Sequence, residues 1–494
     1  MKGNIRMIVA YLVIVVLFCF SSDCFCYGSK DHKEMCKYIS ENNIDGFSLD
    51  DYMKQSLGIM RGVNDVLSEQ NTVLHLWYGP IVKQPVSAKR CLIDGGGDED
   101  SPFIRCKNHF HDPLEDWSKA GLNGGEGLLG GESSIIWAQR DEGKQHFGHY
   151  SWFDARRYFY MALTSHRPEI RNENIVNTFL AVGHLMHLVQ DSSVPEHVRD
   201  NSHIFAGNNF ESYISEYNDM YRPEKYSVFS LWLSNESCYP DIDPVYSLPP
   251  NTHAPVPVAR IVDTDRYDGT NPDVTMTSPT GLAEYTNANY FSTDTVFTTD
   301  DYPYPSWESV NHTVIRVQDP RNEADDVHRE YLVKMHHGDT SYRLCTAPVL
   351  YGQVPETVDY LAPILDENVY GDYAERLIPR AVSYSAGLLK YFFRGTLELK
   401  LPPDGVYCFR PDEPADPRTQ GFDRVSLYVR NTTDTGEQMT GGSIDLVVKY
   451  RFLTDDPDAQ DPRPAARDPF AQYTPENLPA LSDPLYIVKK LDDR

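Results

Sequence analysis

Basic residues are scarce in this 494-residue chain relative to acidic ones. There are 45 lysines and arginines against 72 aspartates and glutamates, which gives a formal net charge of -27. Because an acidic surface repels phosphate backbones and anionic lipids at long range, this charge argues against a structural nucleic-acid-binding protein, and we expect no stable nucleic-acid partner. It does not exclude an enzyme that acts on phosphate esters, since bound metal cations reverse the local field at a site.

Long apolar runs are missing outside the N-terminus. Lys2 and Arg6 precede an apolar run over residues 7–20, which two serines follow. The run is shorter than the ~20 residues that a membrane-spanning helix needs, and this order of charged, apolar and small polar residues is typical of a signal peptide. We therefore predict an export signal over residues 1–26 and a soluble mature protein that is secreted or periplasmic.

Cysteines are also few, nine in all. Removal of the signal would leave an even set in an oxidising compartment, where disulfides form. This set is Cys36, Cys91, Cys106, Cys238, Cys345 and Cys408. A bridge between Cys91 and Cys106 would clamp the loop next to His109, and the alternative is two unpaired buried thiols. A lipid-modified cysteine near the signal is disfavoured by Asp23 and Phe25, which stand where such a signal has small residues.

The length and composition indicate a globular protein of more than one domain. Forty per cent of the residues are hydrophobic and 12% are aromatic, and a chain of this length exceeds one compact core. Apolar residues recur at three- and four-residue intervals through residues 31–216, most clearly over residues 152–165 and 174–190. We predict a mainly α protein in which residues 27–398 form an all-helical domain.

Two later segments complete this domain. Proline, tyrosine, threonine and aspartate dominate residues 223–325, which we interpret as irregular structure within a loop-rich insertion over about residues 223–340. A last helix is predicted over residues 374–393, and Gly395 marks its end.

The C-terminal segment has the alternating pattern of strands. Residues 425–431 and 443–453 alternate apolar and polar side chains around a Gly-Gly turn, which predicts that they pair. We predict a small β-sandwich-like domain over residues 399–494, with an exposed loop or linker at residues 455–467.

One predicted helix carries a pattern of metal ligands. At 100° per residue, His184, His187 and Asp191 fall on one face. Pro195 ends the helix soon afterwards, so His197 can return beside the helix end. Zinc binds such nitrogen and oxygen ligands and, in catalytic sites, leaves one position open for water. The alternative is an i,i+4 pair of His187 and Asp191, with His197 exposed.

Further clusters favour the metal site over that alternative. His109 and His111 lie in the turn-prone sequence Asn-His-Phe-His-Asp-Pro. Carboxylates lie just upstream, at residues 98–100, after three glycines that we expect to form a loop bending closely around an ion. Downstream, His203 and Glu211 add a nitrogen and an oxygen ligand.

This combination resembles the zinc-dependent phospholipase C and P1-type nuclease superfamily, and in particular its bacterial zinc-dependent phospholipase C branch. The resemblance covers residues 31–395 and implies an all-helical fold with three clustered zinc ions. It assigns one zinc to Asp100, His109, His187 and Asp191, a second to His197, His203 and Glu211, and a third to His32 and Asp191. Asp98 remains an alternative to Asp100.

Two features depart from the family. Its usual histidine and acid are four residues apart, whereas His203 and Glu211 are eight apart, which implies an inserted loop. Its third zinc also uses an N-terminal tryptophan, and no tryptophan lies between the signal and His32.

The resemblance implies hydrolysis of phospholipids to diacylglycerol and a phosphorylated head group, with Asp100 as the catalytic carboxylate and transient contact with a membrane surface. The alternatives are a single-strand nuclease or phosphomonoesterase on the same scaffold, and a noncatalytic secreted binding protein that zinc stabilises.

Overall fold

The computed structural model describes residues 28–68, 85–127, 130–202, 209–246, 248, 257–277, 279–298, 300–310, 317–318, 328–335, 341–347, 363–401, 403, 408–409, 424–433, 444–450, 453–454, 480–481 and 485–490. The predicted signal peptide, the predicted linker at residues 455–467 and the predicted ligand His203 lie outside these residues. Among the described helices, none combines the length and apolar content that crossing a membrane requires.

Helices dominate the described structure, and the prediction of a mainly α protein is confirmed. In chain order they are α1 (Ser29–Glu41), α2 (Leu49–Gln55), α3 (Ala88–Asp98), α4 (Ser134–Ala138), α5 (Trp152–Thr164), α6 (Pro168–Asp191), α7 (Phe210–Tyr217), α8 (Pro223–Leu233), α9 (Asp243–Tyr246), α10 (Val274–Thr277), α11 (Leu282–Asn289) and α12 (Glu367–Phe393). Short 3-10 helices join several of them, including Phe103–Asn108.

The segment that we expected to be irregular contains well-formed helices. Helix α8 starts with Pro223 in its first turn, where proline fits because the missing N–H would have no intrahelical partner. It buries Phe229, Trp232 and Leu233, which follow the i, i+3, i+4 spacing of one helix face. The prediction was wrong here because the high proline and aspartate content outweighed this short apolar pattern.

Helix α12 begins earlier than predicted and passes through a proline. Asp366 caps it by accepting hydrogen bonds from the backbone amides of Asn368 and Val369, both at 3.1 Å. Pro379 lies inside the helix and has no N–H to donate to the carbonyl of Glu375. The side chain of Asn235 donates to that carbonyl instead, at 3.4 Å, so the carbonyl still has a hydrogen-bond donor.

The strands form two-stranded antiparallel ladders. They are β1 (Val66–Ser68) with β2 (Val86–Ser87), β3 (Val317–Gln318) with β4 (His328–Arg329), β5 (Tyr331–Met335) with β6 (Ser341–Thr346), β7 (Leu397–Lys400) with β10 (Tyr428–Asn431), β8 (Cys408–Phe409) with β9 (Arg424–Val425), β11 (Asp445–Tyr450) with β14 (Leu485–Lys490), and β12 (Leu453–Thr454) with β13 (Ala480–Leu481).

The two strands that we expected to pair with each other have other partners. Leu397 lies opposite Asn431, and Asp445 lies opposite Lys490. The prediction was wrong because a turn signal identifies only partners that are neighbours in sequence, whereas these ladders join strands that lie further apart along the chain.

The chain divides into two compact units. The first comprises the described residues of Met1–Tyr158 and Val176–Tyr391, and the second those of Phe159–Ile175 and Phe392–Arg494. In the first unit, the C-terminal half of α6 and most of α12 are buried. All the described candidate ligands belong to this unit.

Candidate metal centre

Helix α6 places two predicted ligands one turn apart at its C-terminal end. Every residue from Ala181 to Asp191 is buried, so His187 and Asp191 face protein rather than solvent. His187 Nε2 lies 3.2 Å from Asp191 Oδ2. The i,i+4 spacing therefore produces a buried pair of a nitrogen and an oxygen ligand.

The turn after α6 returns the chain to the same place. The amide of Val194 donates to the carbonyl of Asp191 at 2.9 Å, and the amide of His197 donates to that of Val194 at 3.1 Å. His197 is fully buried, in contrast to the alternative that left it exposed. Its Nδ1 lies 3.9 Å from Asp191 Oδ2.

Glycines allow α3 to approach α6 backbone to backbone. A Cβ at Gly95 would lie 2.2 Å from the carbonyl oxygen of Leu180, and a Cβ at Gly183 would lie 2.6 Å from that of Leu92. Neither helix could come this close with a larger residue. We expected the glycines to form a loop around an ion; this was wrong, since α3 is helical through Asp98 and its glycines serve helix packing.

Helix α1 brings His32 to the other side of the pair. A Cβ at Gly96 would lie 2.5 Å from Cys36 Sγ, so a glycine is again needed where α1 and α3 meet. The His32 ring stacks on that of His187 with centroids 3.6 Å apart. Its Nε2 lies 3.3 Å from Asp191 Oδ1, as the predicted contact between these two ligands requires.

The chain that follows α3 supplies His109 and Asp100. His109 Nδ1 lies 2.9 Å from Asp191 Oδ2 and 3.5 Å from Asp100 Oδ1. The same Asp100 oxygen lies 3.6 Å from His187 Nε2. Four predicted ligands of one zinc are therefore neighbours in space.

Among the described candidate ligands, Asp100 is the closest to solvent. Its side chain is 10% exposed, whereas those of His109 and Asp191 are fully buried. Asp98, the alternative in the sequence, lies 3.8 Å from Lys33 Nζ. The structure thus brings Asp100 to the cluster and pairs Asp98 with a lysine.

Helix α7 supplies Glu211 from its first turn. The side chain of Asn209 caps this helix by accepting a hydrogen bond from the amide of Ser212 at 2.8 Å. Glu211 Oε1 then lies 3.1 Å from His197 Nε2. The third ligand predicted for this ion, His203, lies outside the described residues.

A buried carboxylate joins α1 to α7. Asp31 accepts hydrogen bonds from Ser215 Oγ at 2.7 Å and from Asn218 Nδ2 at 2.8 Å. Burial raises the pKa of Asp31 to about 6, although both hydrogen bonds act in the opposite direction. These contacts fix the helix carrying His32 relative to the helix carrying Glu211.

The described ligands form three overlapping groups that could each hold a metal ion. The ligand atoms within each group lie within 4.8 Å of one another. The groups are His32, Asp100 and His187; His109, His187 and Asp191; and Asp191, His197 and Glu211. Compared with the predicted sets, Asp191 also groups with His197 and Glu211, and Asp100 also groups with His32.

Two carboxylates in the cluster have oxygens suited to a cation. Neither Asp191 oxygen, nor Oδ2 of Asp100, accepts a hydrogen bond of acceptable geometry, although all three are buried. Buried oxygens normally have donors, and their absence costs ~1–3 kcal/mol or more. Several ring nitrogens nevertheless lie near Asp191. Converging acceptor atoms of this kind fit a bound metal ion.

Three of the histidines present the same ring nitrogen to the cluster. Each directs Nδ1 to a neutral oxygen acceptor: His32 to Gln190 Oε1 at 2.6 Å, His187 to the Gly96 carbonyl at 2.7 Å, and His197 to the His109 carbonyl at 3.2 Å. Since the hydrogen bond requires a proton on Nδ1, the neutral tautomer leaves the Nε2 lone pair for a metal.

The cluster is electrostatically coupled. Burial would raise the pKa of Asp191, but the nearby His187, His197 and His109 hold it well below its usual range. Burial would lower the pKa of His109, yet the carboxylate of Asp191, 2.9 Å from its Nδ1, together with Glu99 and Asp100, raises it to about 10. Without a metal, protons therefore occupy part of this cluster near neutrality.

Glu99 is a buried carboxylate beside the cluster that the sequence did not single out. It accepts two hydrogen bonds from Arg105, at 2.6 and 2.8 Å, one from Trp137 Nε1 at 2.9 Å and one from His184 Nδ1 at 2.5 Å. Burial opposes its charge, but Arg105, His109 and His184 keep the pKa of Glu99 well below its usual range. No local sequence pattern distinguishes the role of Glu99 from those of the adjacent aspartates. The three acidic side chains point in different directions because they lie at the end of α3.

His111 anchors the turn that carries His109. Its ring lies 2.8 Å from Ser133 Oγ and 2.9 Å from Asp263 Oδ2, and Trp117 Nε1 donates to the same carboxylate oxygen at 2.6 Å. Its backbone amide donates to the carbonyl of His197 at 2.9 Å. His111 therefore connects two ligand-bearing segments.

The structure matches neither alternative for Cys91 and Cys106, a bridge between them or two unpaired thiols. Cys91 is a free, buried thiol in α3, whereas Cys106 is disulfide-bonded. The prediction was wrong because closeness in sequence was its only basis, and Cys91 lies on a buried helix face.

Searches of protein-family models, of curated proteins and of solved structures find no match to this chain.

Proposed function

We propose that this chain is a zinc-dependent hydrolase of phosphate esters, of the phospholipase C type. The observation that carries the proposal is the convergence of His109, His187 and Asp191 with two further ligand groups in one buried cluster. Imidazole nitrogens with carboxylate oxygens are a ligand set that zinc prefers.

Shared ligands favour a cluster of ions over a single structural zinc. Asp191 belongs to two of the three groups, and its two oxygens face different histidines: Oδ1 faces His32, and Oδ2 faces His109 and His187. A carboxylate with oxygens in two directions can bridge two ions. Clustered ions are characteristic of enzymes that cleave phosphate esters.

A bound zinc cluster supplies Lewis-acid activation of water and neutralises the charge of the phosphoryl oxygens. We assign the role of general base in this hydrolysis to Asp100. Its Oδ2 accepts no hydrogen bond, and it is the described ligand most open to solvent among those around His187. A carboxylate placed in this way can orient a water molecule and accept its proton.

The resemblance to the phospholipase C branch favours a phospholipid as substrate, cleaved to diacylglycerol and a phosphorylated head group, with transient binding to a membrane surface. An exported protein would meet such lipids outside the cytoplasm. The acidic net charge is compatible with a zwitterionic lipid, since it opposes binding to nucleic acid and to anionic lipid.

The test begins with the zinc content of the purified protein, measured by elemental analysis without added metal. We expect about two or three zinc ions per chain, lower content in His187→Ala, and unchanged content in His166→Ala, which alters an exposed histidine. A zinc content near zero that added zinc does not restore would overturn the proposal.

The substrate is then tested by comparing hydrolysis of phosphatidylcholine vesicles, single-stranded DNA and a simple phosphomonoester. Release of phosphocholine that depends on zinc is expected. Cleavage of DNA or of the monoester alone would reassign the activity to the alternatives on the same scaffold. Tightly bound zinc without any hydrolysis would support the noncatalytic alternative.

A further inference from the structure

His109 differs from the other three histidines of the cluster in two respects. It directs Nδ1 toward the carboxylates of the cluster, 2.9 Å from Asp191 Oδ2, whereas the other three direct Nε2 toward them. Its Nε2 lies on the other side of the ring, 3.8 Å from Glu99 Oε1. Neutral amide and carbonyl oxygens accept hydrogen bonds from the far ring nitrogens of the other three histidines, whereas the group nearest the far nitrogen of His109 is a carboxylate.

Glu99 is held firmly in this position. The guanidinium of Arg105 contacts both carboxylate oxygens, and its other nitrogen donates to the carbonyl of His146 at 3.1 Å. The guanidinium carbon lies 4.9 Å from the ring centre of Trp137, which itself donates to Glu99. The carboxylate therefore cannot turn into the cluster to become a ligand without breaking a buried ion pair.

The same carboxylate is supported from α6. His184 Nδ1 contacts Glu99 Oε2 at 2.5 Å, and the ring of Tyr150 stacks on His184 with centroids 3.8 Å apart. His184 lies one turn before His187 on α6, so the arrangement connects Glu99 to the helix that carries two ligands. Its location is fixed from both α4 and α6.

We propose that Glu99 is a positioning residue of the metal centre, which acts through Nε2 of His109. It holds the tautomer of His109 with the proton on Nε2 and the lone pair of Nδ1 toward the metal, and its negative charge makes this imidazole a stronger ligand. The proposal rests on the proposed function, because it requires that the cluster bind zinc. A carboxylate behind a metal-bound histidine contributes ~10–100-fold to metal affinity in proteins where it has been removed.

The first test compares zinc affinities of Glu99→Gln and Asp98→Asn. Asp98→Asn is the matched control, because it removes a neighbouring carboxylate that pairs with Lys33 at the surface. We expect the affinity of the site containing His109 to fall by ~10–100-fold in Glu99→Gln and by less than about twofold in Asp98→Asn. A purely structural role would lower the melting temperature of the metal-free protein and leave the zinc affinity of its folded fraction unchanged.

The buried Arg105 could prevent Glu99→Gln from folding. The double variant Glu99→Gln with Arg105→Gln removes both buried charges and retains side chains that can hydrogen-bond. It is expected to show the same loss of zinc affinity as Glu99→Gln. An affinity equal to that of the parent in either folded variant would overturn the proposal.

A spectroscopic test does not depend on altering Glu99. In the zinc-loaded parent with 15N-labelled histidine, we expect one ligated imidazole bound through Nδ1 with a proton on Nε2, and His109→Gln assigns it. The other ligated imidazoles should bind through Nε2. Ligation of every imidazole through Nε2 would overturn the proposal for Glu99 but not the proposed function, whereas a parent that binds no zinc would overturn both.

Discussion

At the scale of single residues, Asp100 allows the proposed chemistry to be separated from metal binding. Asp100→Asn removes the charge and keeps the shape, while His109, His187 and Asp191 still offer one complete ligand group. We expect turnover to fall by ~10²–10⁴-fold, which is the usual contribution of a general base. Zinc content should fall by no more than the ion held by the one group that contains Asp100, which is the group of His32, Asp100 and His187.

The measurement pairs turnover on phosphatidylcholine vesicles with elemental analysis of the same samples. Asp98→Asn serves as the control, since Asp98 pairs with Lys33 rather than with the cluster. Full turnover in Asp100→Asn would remove the proposed role of Asp100 as a base. A complete loss of zinc would instead make Asp100 an essential ligand.

The sequence pointed to the candidate ligands more easily than to the residues that support them. His187 and Asp191 are visible because a helix places i and i+4 on one face, and Pro195 explains why His197 can return. The roles of Glu99 and Gln190 cannot be inferred from such a spacing, because they depend on where α1 and α3 pack against α6. The choice between Asp98 and Asp100 likewise depends on how the chain turns after α3.

At the scale of elements, the close packing of α3 on α6 provides a second test. Gly183→Ala places a methyl group 2.6 Å from the carbonyl oxygen of Leu92 and 3.0 Å from the Cα of Gly95. Because backbone atoms cannot yield as a side chain can, the helices must separate. We expect ~1–3 kcal/mol of destabilisation, together with weaker zinc binding, since α6 carries His187 and Asp191.

Gly371→Ala is the matched control, because Gly371 is also in a long helix but meets only the Tyr213 hydroxyl, at 3.2 Å. Its effect on stability should stay within about 1 kcal/mol. Denaturant unfolding of the metal-free protein and zinc titration measure the two effects. A Gly183→Ala protein as stable as the parent would show that the close backbone packing of α3 against α6 at Gly183 does not contribute to stability.

Element prediction succeeded where one periodic pattern extends over many residues. The helices over residues 152–165 and 174–190 correspond to α5 and α6, within which apolar residues recur through several turns. The pairing of β10 with β7 and of β11 with β14 was not predictable, because strand partners depend on contacts between distant segments. The helix predicted over residues 374–393 already passed through Pro379, but its first residues from Glu367 onward were missed; Asp366 caps this earlier start.

At the scale of the whole molecule, the cluster links folding stability, and the proposed zinc binding, to pH. The pKa of His109 is raised to about 10 in the metal-free protein, above an unfolded value of roughly 6.5. Its contribution to stability is therefore fully present below the unfolded pKa and is lost as pH rises toward 10. The pKa of Asp191 is lowered, so its contribution is present above the unfolded value of roughly 3.9 and is lost as pH falls through the lowered pKa.

Under the proposed function, we expect zinc to reverse the upper part of this dependence. A metal must displace the proton of His109, so affinity should rise with pH through the neutral and mildly alkaline range. Bound zinc stabilises the fold by about 2.7 kcal/mol at a free concentration 100 times the dissociation constant. The increase in melting temperature on adding zinc should therefore be larger at about pH 9 than at about pH 6, with free zinc fixed by a chelator.

Proton release gives an independent measure of the same linkage. Zinc titrated into weakly buffered metal-free protein near neutrality should release protons, and the number released should fall as pH approaches the raised pKa of His109. His166→Ala, which changes an exposed histidine, should release as many protons as the parent. An increase in melting temperature that does not change with pH, together with no proton release, would show that zinc binds somewhere other than the cluster of His109, His187 and Asp191.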